Sequence, residues 1–233
     1  MNPPSSRFRT WALGWVKSIV VALLVWFALS TFLVKAFQIS SGSMERTLLV
    51  GDFLFVNKAL YGAEVPLLGK HLPAVREPRR GDIVVFRSPI EDSILVKRLI
   101  GAPGDTVGMV DGRVSRNGQL LDEPYVVRTE LPPEALRPEP EMRWQLPYLT
   151  GKETADYQPT VRTWGPLVVP RDSFLMLGDN RDGSRDSRFW GFVPRRNIQG
   201  SPLLIYFSYD PGHWRPLPFI TAIRWGRLLT RPR

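Results

Sequence analysis

With no cysteine and only two histidines, His71 and His213, this chain must do any chemistry with hydroxyls, amines and carboxylates. Thiol nucleophiles, thiolate zinc sites and disulfide scaffolds are excluded, and the imidazoles for a metal at helical spacing are lacking. The first string with chemical potential is Gln38-Ile39-Ser40-Ser41-Gly42-Ser43-Met44-Glu45-Arg46-Thr47-Leu48. Gly42 permits a close backbone approach, so the Ser43 amide and the Ser41 hydroxyl can converge on one developing oxyanion. Taken alone, the same string suits a polar linker equally well.

The second string, Leu95-Val96-Lys97-Arg98-Leu99-Ile100-Gly101, places a lysine within an apolar run. An ordinary lysine there snorkels to water. A buried one has its pKa lowered by desolvation and becomes a general base, at a cost of about 1.4 kcal/mol per pKa unit. Strand alternation sets Val96 and Arg98 opposite Lys97, so Lys97 is expected to point inward and Arg98 to stay wet. The third string runs from Gly178-Asp179-Asn180-Arg181-Asp182-Gly183-Ser184 through Arg185-Asp186-Ser187-Arg188 to Val193-Pro194. A calcium loop is excluded because Arg181, Arg185 and Arg188 put cations inside it and no Glu closes it. Asp186 with Arg188, and Asp182 with a neighbouring Arg, are expected to pair and stiffen the loop, leaving Ser184 to hydrogen-bond a nearby amine.

These strings sit in a chain of short apolar runs: Phe53 to Val56, Ile83 to Phe86, Leu95 to Ile100, Phe174 to Leu177 and Leu203 to Phe207. Turn signals such as Gly51-Asp52, Pro103-Gly104-Asp105 and Asn117-Gly118 separate them, which predicts a mainly antiparallel β domain. From about 131 to 166 prolines break any regular element, and that stretch reads as a variable insertion, most simply a partly ordered loop. The segment from Phe219 to Leu229 reads as a final strand or a membrane-surface contact. A chain of 233 residues can bury one main core without staples.

The net charge of +9 suits nucleic acid or an anionic membrane. Position favours the membrane. Ser18 to Val34 carries no charge, Lys17 and Lys35 bound it, and Trp11, Trp15 and Phe37 flank it, as expected of a spanning helix near the lower length limit. Lys35-Ala36-Phe37-Gln38 lacks the small residues of a signal-peptide cleavage site, so the span is expected to be retained. The predicted organisation is a cytoplasmic arm over 1–17, a single transmembrane anchor over 18–36 and an extracytoplasmic catalytic domain over 37–233.

In series, the strings resemble the type I signal peptidases, the Ser/Lys leader peptidases of bacteria. The shared patterns are SGSM-x-x-TL at 41–48, GD-x-x-x-V-x-K at 51–58, RGDIVVF at 80–86, VKR-x-IG-x-PGD at 96–105 and GDNR-x-x-S-x-DSR-x-WG-x-V at 178–193. The resemblance implies Ser43 as nucleophile, Lys97 as general base, Ser41 as oxyanion donor and Ser184 as the group orienting the Lys97 amine. Asp186 and Arg188 would brace the loop. Phe37, Ile39, Met44, Leu48, Val85, Leu95 and Val96 would line pockets for the small residues one and three positions before the cleaved bond. It further implies no metal or organic cofactor, no nucleic-acid partner, and preprotein substrates met at the bilayer near the secretion translocon, with the enzyme in the inner (plasma) membrane. Ser40 and Arg46 stand where the family commonly has proline, which removes two fixed φ angles. Two other readings compete: a catalytically idle membrane-tethered binding protein, which would be expected to lack Ser43 or Lys97, and a self-cleaving Ser/Lys repressor-like protein, which would need a DNA-binding or arm segment.

Overall fold

The computed structural model describes residues 11, 13–23, 25, 34–62, 64–65, 70–151 and 156–233. Its strands are β1 (Val34–Gln38), β2 (Asp52–Asn57), β3 (Glu64–Val65), β4 (Lys70–His71), β5 (Ile83–Arg87), β6 (Ile94–Gly101) and β7 (Thr106–Val110), followed by β8 (Arg113–Arg116), β9 (Gln119–Leu120), β10 (Trp164–Val168), β11 (Ser173–Leu177), β12 (Val193–Pro194) and β13 (Ile198–Ser208). Each apolar run noted above lies within one of them. A main sheet has the order β1-β2-β13-β5-β6-β11-β12, every pair antiparallel. A smaller sheet has the order β10-β7-β8-β9, and β3 and β4 form a separate ribbon. Asn117 and Gly118 join β8 to β9 with φ of 53° and 78°, the positive pair that a two-residue type I′ turn needs.

The apolar faces make three clusters. Val84, Phe86, Leu99, Met176 and Ile198 pack against one face of the main sheet. A second cluster, with Ile100, Val107, Met109, Val114, Leu167 and Leu175, joins the small sheet to β6 and β11. The third, with Ile39, Met44, Leu48, Leu54, Val85 and Ile205, anchors the serine string against β2, β5 and β13. Leu48 and Leu54 are fully buried there, and each contributes about 2 kcal/mol by leaving water. That plug gives the turn that carries Ser43 a rigid floor.

Four expectations change. Arg98 is buried, 4% exposed, because the side of β6 opposite Lys97 is also covered and supplies a carboxylate, Asp179. The C-terminal segment is not a strand; it makes short helical turns at Pro218–Thr221 and Trp225–Arg227 and is joined by single bridges to Ile205 of β13, through Thr230, and to Tyr209 just after β13, through Ile223. Near the N-terminus, residues 13–23 are helical, and no helix among the described residues is long and apolar enough to cross a membrane. Much of the expected span, residues 24 and 26–33, lies outside the described residues, and its last three, Val34, Lys35 and Ala36, pair as strand with Asn57, Val56 and Phe55. Finally, the insertion carries structure of its own, with short 3-10 helices at Pro133–Leu136 and Pro140–Tyr148 that bury Met142 in the second cluster.

Candidate active site

Ser43 lies in a single 3-10 turn, Gly42–Met44, reached directly from β1. Ile39 N–H donates to Asp52 O at 2.8 Å and Gly51 N–H donates to Ile39 O at 3.0 Å, so the string is tied to the start of β2 before it turns. Met44 and Leu48 then pin the turn from below, and Leu48 N–H donates to Met44 O at 2.7 Å. The following turn closes from Thr47 N–H to Met44 O at 3.1 Å, with Glu45 at φ −50°, ψ 147° and Arg46 at φ 80°. A proline at 46 could not take that φ, so this chain shapes the segment after Ser43 by a different turn from one built on proline.

Lys97 comes from the middle of β6, between β5 and β11, paired with Val84. It is 3% exposed, and its Nζ donates to Ser43 Oγ at 2.5 Å. Among the described residues no carboxylate forms an ion pair with it. Burial lowers its pKa from 10.5 to about 8; the nearby Asp186 charge opposes that fall, Arg188 adds to it, and Asp179 opposes it again. Ser41 Oγ lies 3.4 Å from Ser43 Oγ, so the two hydroxyls face one small volume. Ser184 is buried too, but its Oγ makes no hydrogen bond to Lys97 or to any other described residue.

The third string is held by its charges. Asp186 accepts from Arg188 Nε at 2.8 Å and Nη2 at 2.9 Å and from the Gly178 amide at 3.0 Å, and it caps the helical turn Ser187–Trp190. Burial pushes the Asp186 carboxyl up, but the charge and hydrogen bonds of Arg188, the Gly178 amide and the Lys97 charge together hold it below the ordinary carboxylate range. Arg188 also donates to the Ser184 carbonyl at 3.0 Å and to Val161 O at 2.8 Å. Asp182 pairs with Arg162, at the far end of the insertion, rather than with an Arg of its own loop. The insertion adds two more contacts, with Trp144 Nε1 and Gln145 Nε2 donating to Arg188 O at 2.9 and 3.0 Å.

Residues that sequence reasoning left without a role join this loop to the nucleophile. Asn180 N–H donates to Ser43 O at 3.1 Å. Arg98 gives Asp179 two hydrogen bonds, from Nε at 2.8 Å and Nη2 at 2.6 Å, while Thr47 Oγ1 donates to Asp179 Oδ2 at 2.6 Å. The guanidinium of Arg98 stacks over Tyr125 with Cζ 3.8 Å from the ring centre. Gly178 is required by space: a Cβ there would meet Ser184 Oγ at 2.2 Å and Ser43 O at 2.5 Å. The dense third string was visible in sequence, but the pairing of Arg98 with Asp179, far apart along the chain, carried no local signal.

A cavity of about 70 Å³ opens beside the Ser43–Lys97 pair, lined on one side by Gln38, Ile39, Ser40 and Ser41 and on the other by Ile94, Leu95 and Val96, with Met44 at its base. Of the expected pocket residues, Ile39, Met44, Leu95 and Val96 face it. Phe37 packs against the cluster beneath, and Leu48 and Val85 are fully buried within that cluster rather than at the cavity wall. A cavity of about 530 Å³ lined by Tyr61, Glu77 and Arg196 shares no residue with this cleft. A buried serine thus lies against a desolvated lysine, beside a small cleft and a second hydroxyl, an arrangement chemically suited to acyl transfer.

The profile of the family described as "Signal peptidase, peptidase S26" matches residues 12–207. The chain is 38% identical over 220 residues to signal peptidase I of Pseudomonas aeruginosa, covering 89% of this chain and 76% of that protein. It is 38% identical over 203 residues to signal peptidase I of Leptolyngbya laminosa, with 84% and 79% covered, and 32% identical over 254 residues to signal peptidase I of Aquifex aeolicus, with 93% and 94% covered. Against a crystal structure of a signal peptidase I from Enterococcus faecalis it aligns over 55% of this chain and 98% of that one, at 30% identity and a TM-score of 0.36. The chain belongs to the S26 signal peptidases, membrane-associated serine endopeptidases that remove signal peptides from preproteins.

Proposed function

We propose that Ser43 is the nucleophile and Lys97 the general base of this chain's peptidase reaction. The observation that carries the reading is the 2.5 Å contact between Lys97 Nζ and Ser43 Oγ, made by an amine that burial has brought toward neutrality. Deprotonated Lys97 takes the Ser43 proton along that line as Oγ attacks the peptide carbonyl. The Ser43 amide and Ser41 hydroxyl stabilise the oxyanion, the protonated amine passes its proton to the leaving nitrogen, and Lys97 then activates water to open the acyl-enzyme. Ser184 Oγ, buried with no hydrogen-bond partner among the described residues, is free to orient the Lys97 amine during the reaction, with Asp186 and Arg188 fixing the loop around it.

The cleft limits the substrate. Its volume of about 70 Å³ is small, which suits small side chains on the acyl side. Preproteins with small residues before the cleaved bond, arriving extended at the membrane surface beside the translocon, fit that limit. The apolar stretch before Val34 is read as a single-pass anchor in the inner membrane, with the catalytic domain on its extracytoplasmic side. Incubating detergent-solubilised enzyme with a preprotein and reading the cut by mass spectrometry tests the reaction; a bulky residue immediately before the cut, or unchanged cutting by Ser43→Ala, overturns it. Protection of the region after Phe37 from protease added to spheroplasts overturns the orientation.

A further inference from the structure

The insertion closes around one residue of the 178–188 loop. Arg188 lies in the one-turn helix Ser187–Trp190, whose carbonyls lack the onward partners that a longer helix supplies. Two insertion side chains donate to the Arg188 carbonyl instead, Trp144 Nε1 at 2.9 Å and Gln145 Nε2 at 3.0 Å. Gln145 is fully buried and its amide has one orientation. Its Oε1 accepts from the Tyr157 hydroxyl, which itself accepts from the Gly165 amide at 2.8 Å, so Nε2 is the end that faces Arg188. At the far end of the same arginine, Nη1 donates to Val161 O at 2.8 Å while Nε and Nη2 hold Asp186. The insertion thus grips Arg188 both by its carbonyl and by its guanidinium.

Burial is the main cause of the lowered Lys97 pKa, and the charges that adjust it all come from this loop: Asp186, Arg188 and Asp179. On its other sides the amine meets Ser43 Oγ and, across β5, Val84. Asp186 favours the ammonium, Arg188 opposes it, and the two are paired with each other. We propose that Gln145 is a positioning residue for the peptidase reaction, acting through the Arg188 carbonyl to keep the guanidinium on Asp186 and so to keep the charge beside Lys97 balanced. The inference rests on Lys97 being the general base. A guanidinium that draws back takes away a charge that opposes the ammonium and leaves Asp186 less neutralised. Both changes hold the proton on Lys97 more tightly.

The test measures kcat across pH at saturating preprotein, on the full chain in detergent. Gln145→Leu keeps the volume and loses the donor. Its acidic limb is expected to move up by about half a pH unit, a fraction of what an adjacent charge commands, so turnover at pH 7 falls about threefold with KM little changed. Tyr157→Phe frees only the orientation of the amide and is expected to shift the limb the same way by less. Met142→Ala, a packing change at a fully buried residue of the same 3-10 helix, is expected to lower the unfolding midpoint and leave the limb in place. A limb at the wild-type pH in Gln145→Leu, or in Tyr157→Phe should Gln145→Leu fail to fold, overturns the role of Gln145, as does an equal shift in Met142→Ala. Turnover near the wild-type level in Lys97→Arg would instead overturn the base assignment beneath it.

Discussion

Lys97 and Arg98 are neighbours on β6, almost equally buried at 3% and 4% exposure, yet their surroundings follow opposite plans. Arg98 meets a fully buried carboxylate, Asp179, through two hydrogen bonds, shares Thr47 with it and stacks on Tyr125. Among the described residues Lys97 meets a hydroxyl and pairs with no carboxylate; the acid whose charge acts on it most, Asp186, is already occupied by Arg188. One cation is paired with a carboxylate and ties two motifs together. The other is left to lose its proton. The strand thus separates a carboxylate-paired guanidinium from a desolvated amine over a single residue, using alternation to send them to opposite sides.

The sharpest way to break that contrast is to exchange chemistry at the reactive position. Lys97→Arg keeps a cation but supplies a guanidinium that does not deprotonate at working pH, so turnover should fall by roughly 10⁴-fold or more, as it should for Ser43→Ala. Single-turnover cleavage of a preprotein measures it, and residual activity within tenfold of wild type in Lys97→Arg would break the assignment.

Removing the structural charge should act on stability instead. Arg98→Met leaves Asp179 buried and unpaired, and the expected loss is about 3 to 5 kcal/mol, read as a lower unfolding midpoint. Lys97→Met should move the other way. The folded-state pKa of Lys97, about 8, lies below its ordinary 10.5, so below pH 8 both states hold the proton and the fold carries the full cost of a buried ammonium. Between those values the unfolded state binds more protons, and stability rises with pH. The cost is about 3 kcal/mol at neutral pH, so Lys97→Met should be inactive but more stable there, and its advantage should fade as pH approaches 10.5. Denaturation scans at pH 7 and pH 10 on both variants check the opposite signs.

The hydroxyls give the finer tests. If Ser41 donates to the oxyanion as proposed, Ser41→Ala should cost about 2.7 to 4 kcal/mol of transition-state stabilisation, lowering the whole pH profile without moving it. Wild-type activity should rise with pH through about 8 as Lys97 deprotonates. Ser184→Ala should have the smallest effect on rate but shift that acidic limb, because it alters the surroundings of the base. An unmoved limb in Ser184→Ala, from kcat measured across pH at saturating preprotein, would return Ser184 to a packing role.

Local signals in the sequence excluded thiol chemistry and located the main strands, because period-two apolar runs bounded by Gly-Asp and Asn-Gly turns are local features. The Ser43 and Lys97 roles came from the resemblance of the strings in series to a known family, since each string alone suited an ordinary linker or strand equally well. What the local pattern could not decide was which side of β6 is wet. Alternation assigns Lys97 and Arg98 to opposite sides but does not say that both are covered, and only the return of the chain at 178–188 buries Arg98 against Asp179. The insertion likewise looked idle from its prolines, yet Trp144, Gln145 and Arg162 reach the loop that surrounds the site. The pKa of Lys97 was out of reach for the same reason: desolvation is a property of everything packed around a group, and residues from β5, β11 and the serine turn come together around this amine only in the folded chain.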